Sequence, residues 1–283
     1  MAASETRPGL LEGKNVLVMG LISPQSFAWA IGEKARAEGA NVQYTVQSER
    51  FIKIADRAFR NEGIDLPSLN PLPCDVASDE DIQKLAEGLK SPLDGLVYSI
   101  AFANPKTALS GALYDAPRVD IMKALEVSAV GLSMVVGGLV RAEKFNPNAS
   151  IVAMTFDSQR TYPSYNWMGV AKAAMEGEVR YLARDLGDRG IKVNSLSAEP
   201  QNTLAATHIP GFENIGRVWT ERAPLGWDLD EGRYAVAKSA VYLLSDFSEG
   251  VTGHILPVDG GFHSVSLAPQ RDSEITAEID IKQ

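Results

Sequence analysis

Short runs of aliphatic and β-branched residues alternate along the chain with longer stretches whose apolar positions recur every three or four residues. The runs predict strands at 15–19, 42–46, 68–72, 95–99, 150–154, 192–196 and 254–258. The helical periodicity predicts helices near 26–38, 50–61, 79–89, 120–144, 169–186 and 232–244. Strands that are apolar at successive positions are buried on both faces, and helices between them serve as crossovers of a parallel sheet. The pattern therefore predicts an α/β fold: about seven parallel strands in a doubly wound sheet with helices on both faces. No composition shift or internal repeat divides residues 1–283, so a single domain is expected.

Two regions break the rhythm. Residues 200–224 read as a long loop with short helical pieces, a length typical of a functional lid. Residues 268–283 are polar and acidic and are expected to form a poorly ordered tail. The most apolar stretch, Leu125 to Val140, is interrupted by Ser128, Gly131, Ser133, Gly137 and Gly138, and its length predicts a buried core helix rather than a membrane span.

Composition narrows the field. With 27 lysines and arginines against 36 acidic residues, the formal charge is −9, which argues against a nucleic-acid partner. Cys74 is the single cysteine and the three histidines are dispersed, so disulfides and a metal site are not expected, and a reducing cytoplasm suits the chain.

The first strand runs into Gly20-Leu-Ile-Ser-Pro-Gln-Ser26-Phe-Ala28 and then a helix. A strand–turn–helix aims backbone N–H groups at one point, as a pyrophosphate requires, and makes the sheet a candidate Rossmann-type fold. Ser26 can cap the helix and donate to phosphate; a plain capped helix is the alternative. Gln47, after the second strand, stands where such folds read the adenosine ribose, and its neutrality favours NADH over NADPH. Asp75 can accept from an adenine amino group or signal the start of the next helix.

The strongest chemical signal is Tyr165-Asn-Trp-Met-Gly-Val-Ala-Lys172. Seven residues are close to two helical turns, so the two side chains are expected on one face. An ammonium beside a phenol stabilises the phenolate and makes the tyrosine a better acid.

The Tyr-x6-Lys spacing, the Gly20…Ser26-x-Ala28 turn, Cys74-Asp75-Val76, Ser99-Ile100-x-Phe102-Ala103, Thr203-Leu204-Ala205 and Val258-Asp259-Gly260-Gly261 together resemble a divergent branch of the short-chain dehydrogenase/reductase superfamily, the NADH-dependent enoyl-acyl-carrier-protein reductases. The resemblance runs from about Leu11 to Leu267. It implies hydride transfer to the β-carbon of a trans-2-enoyl thioester in type II fatty-acid synthesis, with an acyl-carrier-protein-bound substrate and a homotetrameric assembly. Tyr165, Lys172 and Phe156 are the implied catalytic residues. The cofactor is expected against Gly20, Ile22, Ser26, Phe27, Gln47, Asp75, Val76, Ser99, Ile100, Ala101, Val127, Thr155, Lys172, Ala198, Gln201 and Thr203. The substrate is expected against Phe102, Ala103, Phe156, Tyr165 and Met168.

Ketoreductases of the superfamily carry a carbonyl-orienting serine on the fifth strand, where this chain has Ile151, Val152 and Ala153. That argues against a ketoreductase or alcohol dehydrogenase. A catalytically weak NAD(H)-binding regulator is the third reading, raised by two departures: Ala101 and Glu199 stand where the family has glycine. Gln201 is expected to use its backbone alone. The small residues Ala171, Ala173 and Ala174 offer a face for subunit packing, and Lys53, Arg57, Arg217 and Arg222 are candidate cations for an acidic carrier. The distance from Thr203 to Pro224 resembles the lids of ordinary bacterial members and implies medium-length acyl chains.

Overall fold

In the computed structural model, residues 8–198, 200–204 and 206–267 are described, except for the side chain of His208. The predicted tail 268–283 and the Glu199 departure lie outside the described residues. Seven parallel strands form one sheet: β1 (Asn15–Met19), β2 (Asn41–Val46), β3 (Leu72–Pro73), β4 (Leu93–Tyr98), β5 (Phe145–Thr155), β6 (Lys192–Ala198) and β7 (Ile255–Val258). Their order is β3-β2-β1-β4-β5-β6-β7, so the predicted doubly wound parallel sheet is the observed fold.

Successive strand residues feed opposite layers. Val16, Val18, Val97, Val152 and Met154 pack into one core together with helices α1 (Phe27–Ala37), α2 (Glu49–Asn61), α7 (Phe212–Arg222) and α8 (Gly232–Leu244). Leu17, Met19, Leu96, Tyr98, Ile151 and Ala153 pack into the other, with α3 (Asp79–Gly88), α5 (Gly131–Arg141) and α6 (Asn166–Leu186). Two-sided burial explains why the strands read as continuous apolar runs.

The predicted strand 68–72 is a correction: residues Leu66–Leu69 form a 3-10 turn and β3 is only Leu72–Pro73. Pro67 suits the first turn of a helical segment, and Pro73 has no N–H for a ladder. The region 200–224 is not mostly loop either, because it contains the 11-residue α7. Glycines and prolines on both sides hid its periodicity.

The helix predicted from 120 starts earlier. α4 (Arg118–Leu125), a π turn (Glu126–Val130) and α5 form one continuous 24-residue helix, long and apolar enough to cross a membrane by length and composition. Half of its most apolar window is buried, and Leu132, Val135, Val136 and Leu139 are fully buried under the sheet, so it serves as a core helix. Leu132→Ala is expected to cost about 3 kcal/mol in urea unfolding, whereas Lys123→Ala on the exposed side should stay within about 0.5 kcal/mol.

Candidate active site

The strand order reverses between β1 and β4, and a doubly wound sheet opens a crevice at that point, beyond the carboxyl ends of its strands. Gly20 leaves β1 with φ +91°, and a Cβ there would stand 2.3 Å from the Ser99 carbonyl oxygen. Only glycine permits the close approach of the two strand ends. Beyond Gly20, Ile22 is half-buried and the Ser23 hydroxyl is buried with no hydrogen-bond partner among the described residues. Ser26 caps α1 as expected, accepting from the Trp29 N–H at 3.2 Å, but its own hydroxyl donates to the Ser23 carbonyl at 2.7 Å. That donor is therefore not free for phosphate. Phe27 opens α1 against the core.

At the other end of the crevice the Gln47 amide donates to Asp75 Oδ2 at 3.4 Å, which brings the two adenosine candidates together. Asp75 is not the helix cap: Ser78 caps α3, and Asp75 Oδ1 accepts from the Ala77 N–H. Val76 and Cys74 are buried, and burial pushes the Cys74 thiol up to about 12. An orphaned buried hydroxyl, a glycine turn that a Cβ would fill, and a polar pair where a ribose and adenine end suit a dinucleotide.

The chemistry converges where β5 meets α6. Lys172 is buried and donates from Nζ to the Met154 carbonyl at 2.7 Å. Burial holds its pKa down to about 8, and the charge of Glu176 pulls the other way. Tyr165 sits at the N-cap of α6 rather than inside the helix. The backbone turns sharply on both sides of it, with φ +55° at Ser164 and +20° at Asn166. Positive φ at two non-glycine residues persists only where neighbours fix it. Here the Asn166 side chain bonds the Gly111 carbonyl, the Trp167 N–H bonds that of Ala108 and the Trp167 indole that of Leu113.

Phe156 stands beside Tyr165, ring centroids 4.8 Å apart, and also packs on Tyr162 at 5.0 Å and Trp219 at 5.4 Å. Trp219 of α7 stacks on Phe262 at 3.8 Å. Helix α7 and the segment after β7 thus close an aromatic box around Phe156. Ala103 and Met168 join Ala108, Leu109 and Ala124 in a small apolar cluster against Tyr165. Phe102 is half exposed and Ala101 is exposed. The 99–103 loop is fixed by Ser128 of the π turn, whose hydroxyl accepts from the Phe102 N–H and donates to the Phe102 carbonyl, at 2.8 and 2.9 Å. Next to it, the Val127 carbonyl accepts from the Tyr98 hydroxyl.

Several expectations shift. The Thr155 hydroxyl donates to Glu176 at 2.7 Å. Gln201 is buried, and its side-chain amide donates to the Leu229 carbonyl, so the side chain holds its loop in place. Ala198 ends β6, and the Thr203 hydroxyl accepts from the Ala206 N–H. Ala171 is buried, which leaves only Ala173 and Ala174 of the small-residue face exposed. Arg222 is committed to the Val265 and Ser266 carbonyls and stacks over Phe262. Glu176, Ser128 and Tyr162 were missed. Glu176 had a signal: a carboxylate on the apolar stripe of α6, one turn beyond Lys172.

A sequence profile of the enoyl-(acyl carrier protein) reductase family matches residues 20–263. The chain belongs to that family. It is 38% identical over 263 residues to the NADH-dependent enoyl-acyl-carrier-protein reductase FabI of Enterococcus faecalis, covering 89% of this chain and 98% of that protein. It is 37% identical to the staphylococcal enzyme described as using NADPH, over 90% of this chain and 98% of that one. The crystal structure of the Aquifex aeolicus NADH enzyme superposes with a TM-score of 0.82 at 33% identity, covering 92% of this chain and all of that one.

In an enoyl reductase fold, a fully buried lysine has a stability cost. Its folded-state pKa of about 8 lies below its ordinary 10.5, so the unfolded chain binds the extra proton. The cost is complete below pH 8 and fades towards 10.5. Lys172→Met should therefore melt above the parent at pH 7, and the gap should narrow as pH rises through that window in thermal scans.

Proposed function

We propose that this protein reduces the trans-2 double bond of enoyl-acyl-carrier-protein, or enoyl-CoA, thioesters in type II fatty-acid synthesis, with NADH as the preferred reductant. The observation that carries this reading is the end of β5: an apolar Val152 in place of a carbonyl-orienting hydroxyl, followed by Phe156 packed at 4.8 Å on Tyr165. A ketone would lack its second anchor there, whereas an enoyl thioester needs one donor at its oxygen and an apolar wall along its chain.

When bound, a reduced nicotinamide would supply the hydride for the substrate's β-carbon. Negative charge then collects on the thioester oxygen, where the Tyr165 hydroxyl donates a hydrogen bond to it. Lys172, held under β5 by the Met154 carbonyl, keeps positive charge beside the phenol and offers its remaining N–H groups to ribose hydroxyls. Phe156, Met168 and Ala103 line the enoyl group and exclude water. A proton delivered to the α-carbon, from Tyr165 or solvent, completes the saturated thioester.

The preference for NADH rests on Gln47 and Asp75. They place a neutral amide and a carboxylate where a 2′-phosphate needs cations, with Arg50 the nearest basic residue in sequence. The protein is cytoplasmic in this reading and a homotetramer. Exposed apolar residues along α5 and α6, among them Met134, Val170 and Tyr181, support that assembly. Lys53 and Arg57, exposed on α2, remain as cations for an acidic carrier. The α7 lid, closed over Phe156 by Trp219, suits medium-length chains.

In an NADH-oxidation assay with crotonyl and longer enoyl thioesters, the parent should turn over, with NADPH and ketoacyl substrates markedly poorer. Lys172→Ala should abolish nearly all turnover, and Tyr165→Phe should lower it roughly 10²-fold. Unchanged turnover in both variants would remove these residues from the mechanism. A kcat/KM maximum at chains beyond C16 would exclude the medium-chain assignment.

A further inference from the structure

Lys172 and Glu176 lie one turn apart on α6, in a stripe of buried positions otherwise filled by Met168, Ala171, Met175 and Val179. Glu176 is only 3% exposed, and a carboxylate in such a place must have its oxygens satisfied. Both are. Oε1 accepts from the Thr155 hydroxyl at 2.7 Å and Oε2 from the Ser158 hydroxyl at 2.5 Å. The two donors flank Phe156, one residue before it and two after. Lys172 takes hold of the preceding residue through the Met154 carbonyl. Consecutive turns of α6 therefore grip the segment that carries Phe156 at three points, two of them on the same carboxylate.

The second consequence is electrostatic. A fully buried ammonium loses its hydration, and an opposite charge one helical turn away restores part of that loss. Other carboxylates nearby are engaged elsewhere: Asp157 with Arg160 and Tyr162, and Glu178, on another face of α6, with Ser133 of α5. The buried part of β5, from Ala149 to Thr155, has no ionisable side chain, and the phenols beside Phe156 are Tyr165, at the head of α6, and Tyr162, whose hydroxyl donates to Asp157.

We propose that Glu176 is a positioning residue for the reduction: it fixes the Phe156-bearing segment through Thr155 and Ser158, and it supplies the counter-charge that keeps Lys172 an ammonium. The inference rests on the reductase reading for its second readout but not for its first. Even with the Glu176 charge beside it, burial brings Lys172 down to about 8, so loss of that charge moves its deprotonation into the neutral range.

NADH affinity, read by nucleotide fluorescence from pH 6 to 10 on the full chain, tests the charge role. In Glu176→Gln the alkaline loss of affinity should begin about one to two pH units lower than in the parent. Glu176→Asp keeps the charge while pulling the carboxylate back from the two hydroxyls. Its alkaline limb should stay with the parent's while KM for the enoyl thioester rises several-fold. Ser158→Ala should likewise raise KM and leave the limb in place. If the Glu176→Gln limb coincides with the parent's, or the Glu176→Asp limb shifts as far as that of Glu176→Gln, the counter-charge role is overturned. Should Glu176→Gln fail to fold, the limbs of Glu176→Asp and Ser158→Ala decide alone, and a shift in either overturns the proposal. A parent that binds NADH with these limbs but reduces no enoyl thioester sinks the assigned substrate and leaves the counter-charge standing. A parent that binds no NADH overturns both.

Discussion

The burial of the Lys172 ammonium is the constraint around which the site is arranged. A charge without water must find its partners in the protein, and here they come from two directions: the Met154 carbonyl near the end of β5 and the carboxylate one turn along its own helix. Satisfying that charge ties α6 to the end of β5, and the same ties set the direction in which the chain continues through Phe156 towards Tyr165. The aromatic box is thereby anchored on one side by charge. On the other it is closed by packing, through Trp219 and Phe262.

This division separates what is rigid from what can yield. The sheet and its two layers are built of fully buried aliphatic side chains and define where strand ends emerge. The loop 99–103 is held by the Ser99 N–H on the Met19 carbonyl and by the Ser128 hydroxyl, and the loop from 200 to 203 by Gln201 and Asn202 on the 229–230 segment and by Trp227, whose indole donates to the Pro200 carbonyl. These attachments are hydrogen bonds of loop backbone and side chains rather than buried aliphatic packing, so the loops can shift without disturbing the core.

Much of this was legible in the residues, because periodicity and burial are linked at every strand. β1 and α8 came out with the expected bounds, and the doubly wound parallel sheet follows from the alternation of strands and crossover helices. The short β3 was misplaced, since two residues carry no periodicity and Pro67 and Pro73 mimic a strand boundary. α7 was underestimated for a similar reason. At the site, motif spacing picked out Tyr165 and Lys172, and resemblance supplied Phe156 and the implied roles of all three. Spacing could not reveal which hydroxyls are already engaged. Ser26 was read as a donor to phosphate and Thr155 as a cofactor contact, and only the folded arrangement shows their hydroxyls donating to Ser23 and Glu176. The Gln201 side chain, dismissed from sequence, is buried because Trp227 and Gly232 fold over it.

The π turn at Glu126–Val130 has a geometric corollary. One additional residue in a helix rotates everything beyond it by about 100°. α5 is fitted to the sheet by Leu132, Val135 and Leu139, whereas α4 is fitted to the substrate-side cluster through Ala124. The two halves answer to different neighbours, and the turn is the phase correction that lets one continuous helix serve both. Deleting a single residue there would leave a more regular helix in which Ala124 and Ser128 point away from the cleft. Regularity in this helix and integrity of the site are thus mutually exclusive.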